Sequence, residues 1–450
     1  MTIRLFNPVW LGCLLLAATP LWSQVDNSGG PPEAMGPENA EDRMETPPPV
    51  SGEAYPTSYA SETRANYLLG GLTFGTAYSD NVLGGISDHP VSDVSYSLWP
   101  TLTIDQTRSR LHWFLSYAPG FTFYQRTSAR NEADQNLSLD VAYRLSPHVT
   151  LTVIDSFHKS SNILNQPDLF SAIAVSASAQ ASTQAVIPPI ADQLNNTGNL
   201  QFTYQFRPNG MVGISGTFAD LHYPNPAEVP GLYDSSSRGG AAFYSHRLSG
   251  KHYIGATYQY QKLRAFPTGF RAETQVHSAS FFYTVYLQPT FSLSLFGGPQ
   301  YADTRESVIP SSHVWSPGAG ASLGWQGRQT NIAASYSRAI AAGGGLIGAV
   351  HQNAASVSVR RQLSRMLSAA LDGNYTNSVV IDPILSFSTG GHSISGTASI
   401  QRQLGEHLSF GIGYTRLHQT YSGIPVISGA PDTNREWFSV SYQFARPLGR

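Results

Sequence analysis

From Tyr67 onward the chain is a succession of short runs in which large apolar and small polar side chains alternate. Side chains of a strand point to opposite faces in turn, so the parity of each run assigns its faces. In the five clearest runs one face carries Val94 to Ile104, Leu111 to Phe123, Leu137 to Leu145, Leu200 to Phe206 and Phe438 to Phe444, taken at every second residue. Large apolar residues fill 24 of these 26 positions, and the two exceptions are Pro100 and Pro119. The interleaved face is dominated by Ser, Thr, Gln, Ala and Gly, with only Trp99 and Phe114 large and apolar among 21 positions. Each run therefore predicts a strand with one greasy face and one wet face.

The connections add a second regularity. Short polar turns fall at 106–109, 146–148, 207–210, 248–251, 288–290, 327–329, 363–366 and 405–407. Longer segments separate them, at about 79–91, 125–135, 160–195, 223–237, 265–272, 304–313, 340–351, 379–391 and 419–435. Eight short turns alternating with nine long loops predict eighteen strands. Runs 239–246, 318–326 and 352–362, rich in Gly, Ala and Ser, leave a count of sixteen open. An even number of antiparallel strands with short turns at one end and long loops at the other is the pattern of bacterial outer-membrane barrels. The expected fold is all-β, a transmembrane antiparallel barrel with both ends of the domain on the periplasmic side. Such a barrel has no free edge, which hydrocarbon does not tolerate. At this strand number it encloses an aqueous channel. A soluble sandwich also alternates, but export, sparse charge and alternating loop lengths together weigh against it.

Composition agrees. Only 12% of the 450 residues are charged, about half the usual proportion for a soluble protein. A formal charge of −2 gives no electrostatic case for a nucleic-acid partner. Residues 1–23 read as a secretory signal, with Arg4 ahead of an apolar stretch from Val9 to Ala18. The chain's only cysteine, Cys13, lies in that stretch, so the exported protein is expected to lack disulfides and thiolate metal sites. Residues 24–66, rich in Pro and Gly, read as a periplasmic tether, and 67–450 as the barrel domain. The expected partners are outer-membrane lipid, the machinery that inserts barrels, and a polysaccharide or small hydrophilic solutes. The oligomeric state is open.

Candidate chemistry is thin. The thirteen histidines show no metal-ligand spacing, and no cofactor motif sits before a helix. His112 with Ser116, His158 with Ser156 and Asp220 with His222 are possible base and nucleophile pairs, but Ser and His are common enough here for chance to supply them. The expectation is a protein that is not an enzyme, with no catalytic, cofactor or metal residues. The charges on the wet face carry more: Asp140, Arg144, Arg207, Arg360 and Asp372 are candidate lumen residues, with Arg402 near a turn. Rings of charge bias which ions pass a pore, and wall ion pairs are the plainer alternative. The longest loop, 160–195, holds an Ala/Ser/Gln stretch from Asp168 to Ala185 that can form a short helix and narrow the channel.

Tyr78-Ser79-Asp80-Asn81-Val82, Ser92-Asp93-Val94-Ser95-Tyr96 through Pro100, Leu115-Ser116-Tyr117-Ala118-Pro119 and Tyr143-Arg144-Leu145-Ser146-Pro147 follow one another in an order that resembles the β-barrel porin family encoded beside exopolysaccharide biosynthesis genes. The likeness covers about residues 67–160 and the closing Ser441-Tyr442-Gln443-Phe444. It implies an outer-membrane pore, linked to polysaccharide export, and no catalytic residues to carry over. The competing expectation is a non-conducting surface or scaffold protein with a plugged lumen. One departure is visible: six residues follow Phe444, where such barrels commonly end on the last aromatic.

Overall fold

A computed structural model describes residues 66–83, 90–128, 131–162, 164, 191–267, 271–288, 290–306, 312–381, 390–424 and 432–448, together with Met44 and Pro47. The expected signal (1–23), most of the tether and the expected helix within 160–195 lie outside the described residues. Eighteen strands run β1 (Tyr67–Ser79), β2 (Asp93–Thr107), β3 (Leu111–Tyr124), β4 (Glu132–Ser146), β5 (Val149–Ser160), β6 (Gln193–Arg207), β7 (Gly210–His222), β8 (Ser235–Ser249) and β9 (His252–Ala265). They continue with β10 (Ala272–Gln288), β11 (Phe291–Glu306), β12 (Ser312–Gln326), β13 (Thr330–Ala342), β14 (Ala349–Ser364), β15 (Leu367–Val380), β16 (Gly390–Leu404), β17 (Leu408–Ser422) and β18 (Thr433–Pro447). Each pairs antiparallel with its sequence neighbours, and β1 pairs with β18 from Tyr67↔Pro447 to Ser79↔Arg435, closing the ring. The eight short connections are two or three residues long and the nine long ones five or more, each where the sequence places it.

Parity is obeyed around the wall. Leu72, Phe74, Leu98, Leu200, Ile214, Ile400, Ile412 and Tyr442 are exposed on the outside, while Ser97, Thr122, Thr284, Ser294 and Ser378 are buried within it. Facing hydroxyls bridge neighbouring strands on the inner side: Thr73 with Ser441 (2.9 Å), Thr103 with Ser116 (3.0 Å), Ser335 with Ser356 (2.7 Å) and Thr397 with Thr415 (3.1 Å). Pairs of this kind each contribute roughly 0.2–1 kcal/mol to sheet stability.

The exceptions to the pattern have local causes. The register on either side places Pro100 opposite Pro119, and Pro299 faces Pro317. Proline cannot donate to a ladder, so placing two face to face confines the interruption to one site. Trp99 is fully buried on the inner face because its ring lies over Gly120, where an added Cβ would overlap it. β18 does not stop at its last aromatic, Phe444, but runs three residues further, because β1 begins at Tyr67 and offers partners as far as Pro447.

The Trp99 seat generates a stability prediction. Gly120→Val forces the indole off its site and is expected to cost about 1–3 kcal/mol. It should lower the temperature at which the heat-modifiable folded band is lost on gels. Gly250→Ala, in a turn with nothing within 4 Å of the new Cβ, should leave that temperature unchanged.

Candidate functional site

The candidate site is the inner wall, and its two ends are built differently. In the turn-side half, Asp140 and Arg144 project inward from β4, and Arg360 and Asp372 from β14 and β15 on the far side of the ring. None of the four makes an ion pair among the described residues, and the Arg360 Nε and Nη2 atoms are buried without a hydrogen-bond partner. Arg360 and Asp372 sit diagonally across the β14–β15 ladder, where Ser358 faces Asp372 and Arg360 faces Ala370. Arg207 lies apart, exposed at the turn rim beyond a register shift between Gln205 and Arg207. Arg402 is a correction: it shares the outer face with Ile400 and Leu404, paired to Leu367 and Phe410, because parity on β16 puts even-numbered residues outside. Sequence reasoning missed Asp105, which reaches the same inner region as Asp140. Phe114 stands between them in register, and His112 Nδ1 approaches Asp105 Oδ1 at 3.9 Å.

Of the three base and nucleophile pairs, one forms. His112 Nδ1 meets Thr107 Oγ1 at 2.8 Å, not Ser116. His222 Nδ1 meets Asp234 Oδ2 at 2.6 Å, not Asp220. His158 Nε2 does meet Ser156 Oγ, at 2.6 Å.

The expected hydroxyl-lined lumen is apolar at two places. At the turn end Met211, Phe243, Tyr253 and Tyr286, from β7 to β10, bury Met44 between them, and the Met44 backbone N–H donates to Gln205 Oε1 at 3.3 Å. At the loop end the β13–β14 hairpin leaves the wall. The β12–β13 ladder starts only at Ala319↔Arg338, so the first part of β12 has no partner on that side. Beyond that point β13 comes near β8, β9 and β11, which are not its neighbours. Ile340, outward by parity, packs with inner-wall Leu263, Val276 and Ala302. Its N–H donates to the Gln300 side chain at 3.0 Å in place of a β12 carbonyl, and His351 Nδ1 reaches Ser316 Oγ at 3.4 Å. The hairpin end is folded into the barrel.

The segment between β7 and β8, with a single 3-10 turn at Pro226–Glu228, closes over the hairpin tip. Tyr233 N–H donates to Gly345 O at 2.8 Å, and Tyr223, Val229, Leu232 and Leu346 form an apolar cluster with Leu221 of β7, Val350, Val380, and Tyr421 of β17. Because β7 and β17 stand on nearly opposite sides of the ring, that cluster bridges the loop-side mouth. Burial pushes the Tyr223 phenol above its ordinary range, and its hydroxyl has no partner among the described residues. The 160–195 loop is described only at its feet, where Ala191 N–H donates to Ser161 O at 3.0 Å and Ala191 joins the same cluster. Among the described residues the 223–234 and 343–348 segments supply most of this apolar span, and the narrowing expected of the 160–195 loop falls on residues that lie largely outside the described ones.

No family model matches the sequence, and no curated protein does. Solved structures are similar over most of the chain. OpdK of Pseudomonas aeruginosa with vanillate shares 8% identity over 84% of this chain and 99% of its own, with a TM-score of 0.40. OccK3 (OpdO) of the same organism shares 11% over 84% and 96%, at 0.41. The FrpB iron transporter of Neisseria meningitidis shares 9% over 85% and 83%, at 0.41. The ferric citrate transporter FecA shares 10%, at 0.40, and this chain spans 63% of its length. At such distances the fold is argued from the closed strand order alone.

The inward hairpin predicts a specific proximity. With Cys13 replaced by Ser, the pair Ala302→Cys and Ile340→Cys should be joined by a short bis-maleimide in the folded protein, giving a faster-migrating band. Tyr336→Cys, outward on the same strand, should not join to Ala302→Cys. Equal yields for both pairs would place the hairpin in the wall.

Proposed function

We propose that this chain is an outer-membrane channel for hydrophilic solutes, held closed at its loop side by the folded-in β13–β14 hairpin. One observation carries the reading: in a closed ring of eighteen strands the large apolar side chains face out and the hydroxyls face in. An apolar surface extending around the whole ring far exceeds the patches of a few hundred Å² that soluble monomers expose. It suits lipid tails, and pairing β1 with β18 removes the free sheet ends that such a medium does not tolerate. Short turns on the periplasmic side and long loops outside follow the usual construction of such barrels. The hydroxyl-lined wall suits a polyhydroxylated solute, and an exported polysaccharide is the class favoured here. Asp140, Asp105 and Arg144 on one wall face Arg360 and Asp372 on the other, so charges of both signs lie along the path and can order a solute's passage.

A second reading, a non-conducting scaffold with a plugged lumen, is favoured by the apolar cluster across the loop-side mouth. Planar-bilayer recording separates the two. A gated channel should show unitary conductance that is suppressed when Ala302→Cys and Ile340→Cys are oxidised to a disulfide and restored by reductant. A scaffold should be silent throughout. In the channel, Asp140→Asn should shift the reversal potential toward anions and Arg144→Gln toward cations, and identical reversal potentials would remove both residues from the conduction path.

A further inference from the structure

Ser156, His158 and Asn136 form a hydrogen-bonded chain on the inner wall. Parity places Ser156 and His158 on the inner face of β5, and the register sets Asn136 of β4 directly opposite His158. His158 Nδ1 lies 2.7 Å from Asn136 Oδ1, and His158 Nε2 lies 2.6 Å from Ser156 Oγ. The protons can be assigned. An amide oxygen only accepts, so Nδ1 must carry the hydrogen. The amide is held that way round because its Nδ2 donates to Ala118 O at 3.5 Å. The neutral ring then has a bare lone pair at Nε2, and the Ser156 hydroxyl donates to it. A nucleophile bonded to a base, with the base oriented by a third group, is the arrangement that acyl-transfer sites share across unrelated folds.

The surroundings indicate what would bind. Thr103, Ser116, Ser138, Ser156 and Thr197 lie in one continuous cross-strand row from β2 to β6. Ser156 is the fourth hydroxyl of that row, with Ser138 and Thr197 directly on either side. Opposed side chains of neighbouring strands have Cβ atoms about 4.5–5.5 Å apart, so both hydroxyls can turn toward an oxygen held at Ser156. Asn136 is 1% exposed, whereas Ser156 and His158 remain partly exposed toward the inside.

We propose that Ser156, His158 and Asn136 constitute an esterase centre in the wall, acting on short-chain O-acyl groups carried by a polyhydroxylated solute. Ser156 Oγ attacks the ester carbonyl carbon while its proton passes to His158 Nε2. The hydroxyls of Ser138 and Thr197 donate to the oxyanion of the tetrahedral intermediate. The carbonyl to alkoxy-oxygen bond breaks, and the imidazolium gives its proton to the departing alkoxide, releasing the alcohol and leaving an acyl-serine. Water then attacks that acyl group, with His158 again taking and returning one proton. The carboxylic acid leaves and Ser156 is regenerated. Ser156 and His158 are the catalytic residues, and Asn136 is a positioning residue that fixes the tautomer.

The proposal needs a solvent-filled lumen but not conduction, so it and the channel reading fail separately. The full-length folded protein in detergent is treated with a fluorophosphonate probe, and the adduct is located by peptide mass spectrometry. Labelling at Ser156 is expected, absent from Ser156→Ala. Hydrolysis of p-nitrophenyl acetate should fall by about 10²–10⁴-fold in His158→Gln. Asn136→Ala should lower kcat and move its pH profile, and Asn136→Asp, which keeps an acceptor on Nδ1, should recover it. An unlabelled Ser156 in the wild-type protein overturns the proposal whatever the variants do. So does a rate unchanged in His158→Gln.

Discussion

Backbone hydrogen bonding sets the terms for everything else in this molecule. A sheet whose outer face is apolar cannot end in an open edge, because the unpaired N–H and C=O groups would face a medium with nothing to offer them. The ladder between β1 and β18, unbroken over thirteen facing pairs, meets that demand. It also explains why β18 outruns its last aromatic: the strand that closes the ring must be as long as the partner it closes against. The facing prolines fit the same constraint. Each proline removes a donor, and setting Pro299 against Pro317 keeps the defect local instead of spreading it over two strand pairs.

Against that background the seam between β12 and β13 stands out. Eight facing pairs join strands of fifteen and thirteen residues. On the β13 side the Ile340 N–H is bonded from inside by Gln300, and Leu263, Val276 and Ala302 cover the displaced side chain. The folded-in hairpin end has therefore taken inner-wall partners where a β12 ladder would have continued. Glycine eases the exchange at the tip, where Gly344, Gly345 and Gly348 all adopt positive φ. A continuous ladder would lock the hairpin in the wall.

The sequence made the fold legible because one physical rule, two-residue periodicity against an apolar medium, governs every strand. Turn positions and strand number followed from it without any knowledge of contacts. The inner face was less legible, since parity says which side a residue faces but not what it meets there. The hydroxyl-rich interior expected from runs such as 94–104 and 200–206 describes β2 to β6 and fails at β7 to β10. Of those strands, β8 and β10 carry adjacent aromatics that fall on both faces: Phe281, Phe282 and Tyr283 are consecutive, as are Phe243 and Tyr244. Such lapses in alternation are a usable signal of an inner apolar seat. The seat of Met44 had no signal at all, because a lone methionine in a Pro-rich stretch has no periodicity to betray its partner.

The same limit accounts for Ser156, His158 and Asn136. Ser-x-His recurs in the sequence, at Ser87, Ser146, Ser156 and Ser311, and it has no meaning until the register brings a third group opposite the imidazole. Register is set by turn length: the two-residue connection between β4 and β5, with its shift between Arg144 and Ser146, puts Asn136 across from His158. Had the ladder slipped by one residue, every side chain of β5 would have changed face, and His158 would have met lipid instead of an amide oxygen. The hydroxyl row from Thr103 to Thr197 depends on the same alignment across five strands. An outer face that needs only greasy residues tolerates many registers. An inner face with a proton relay tolerates one, and the turn lengths that fix the barrel therefore also fix its chemistry.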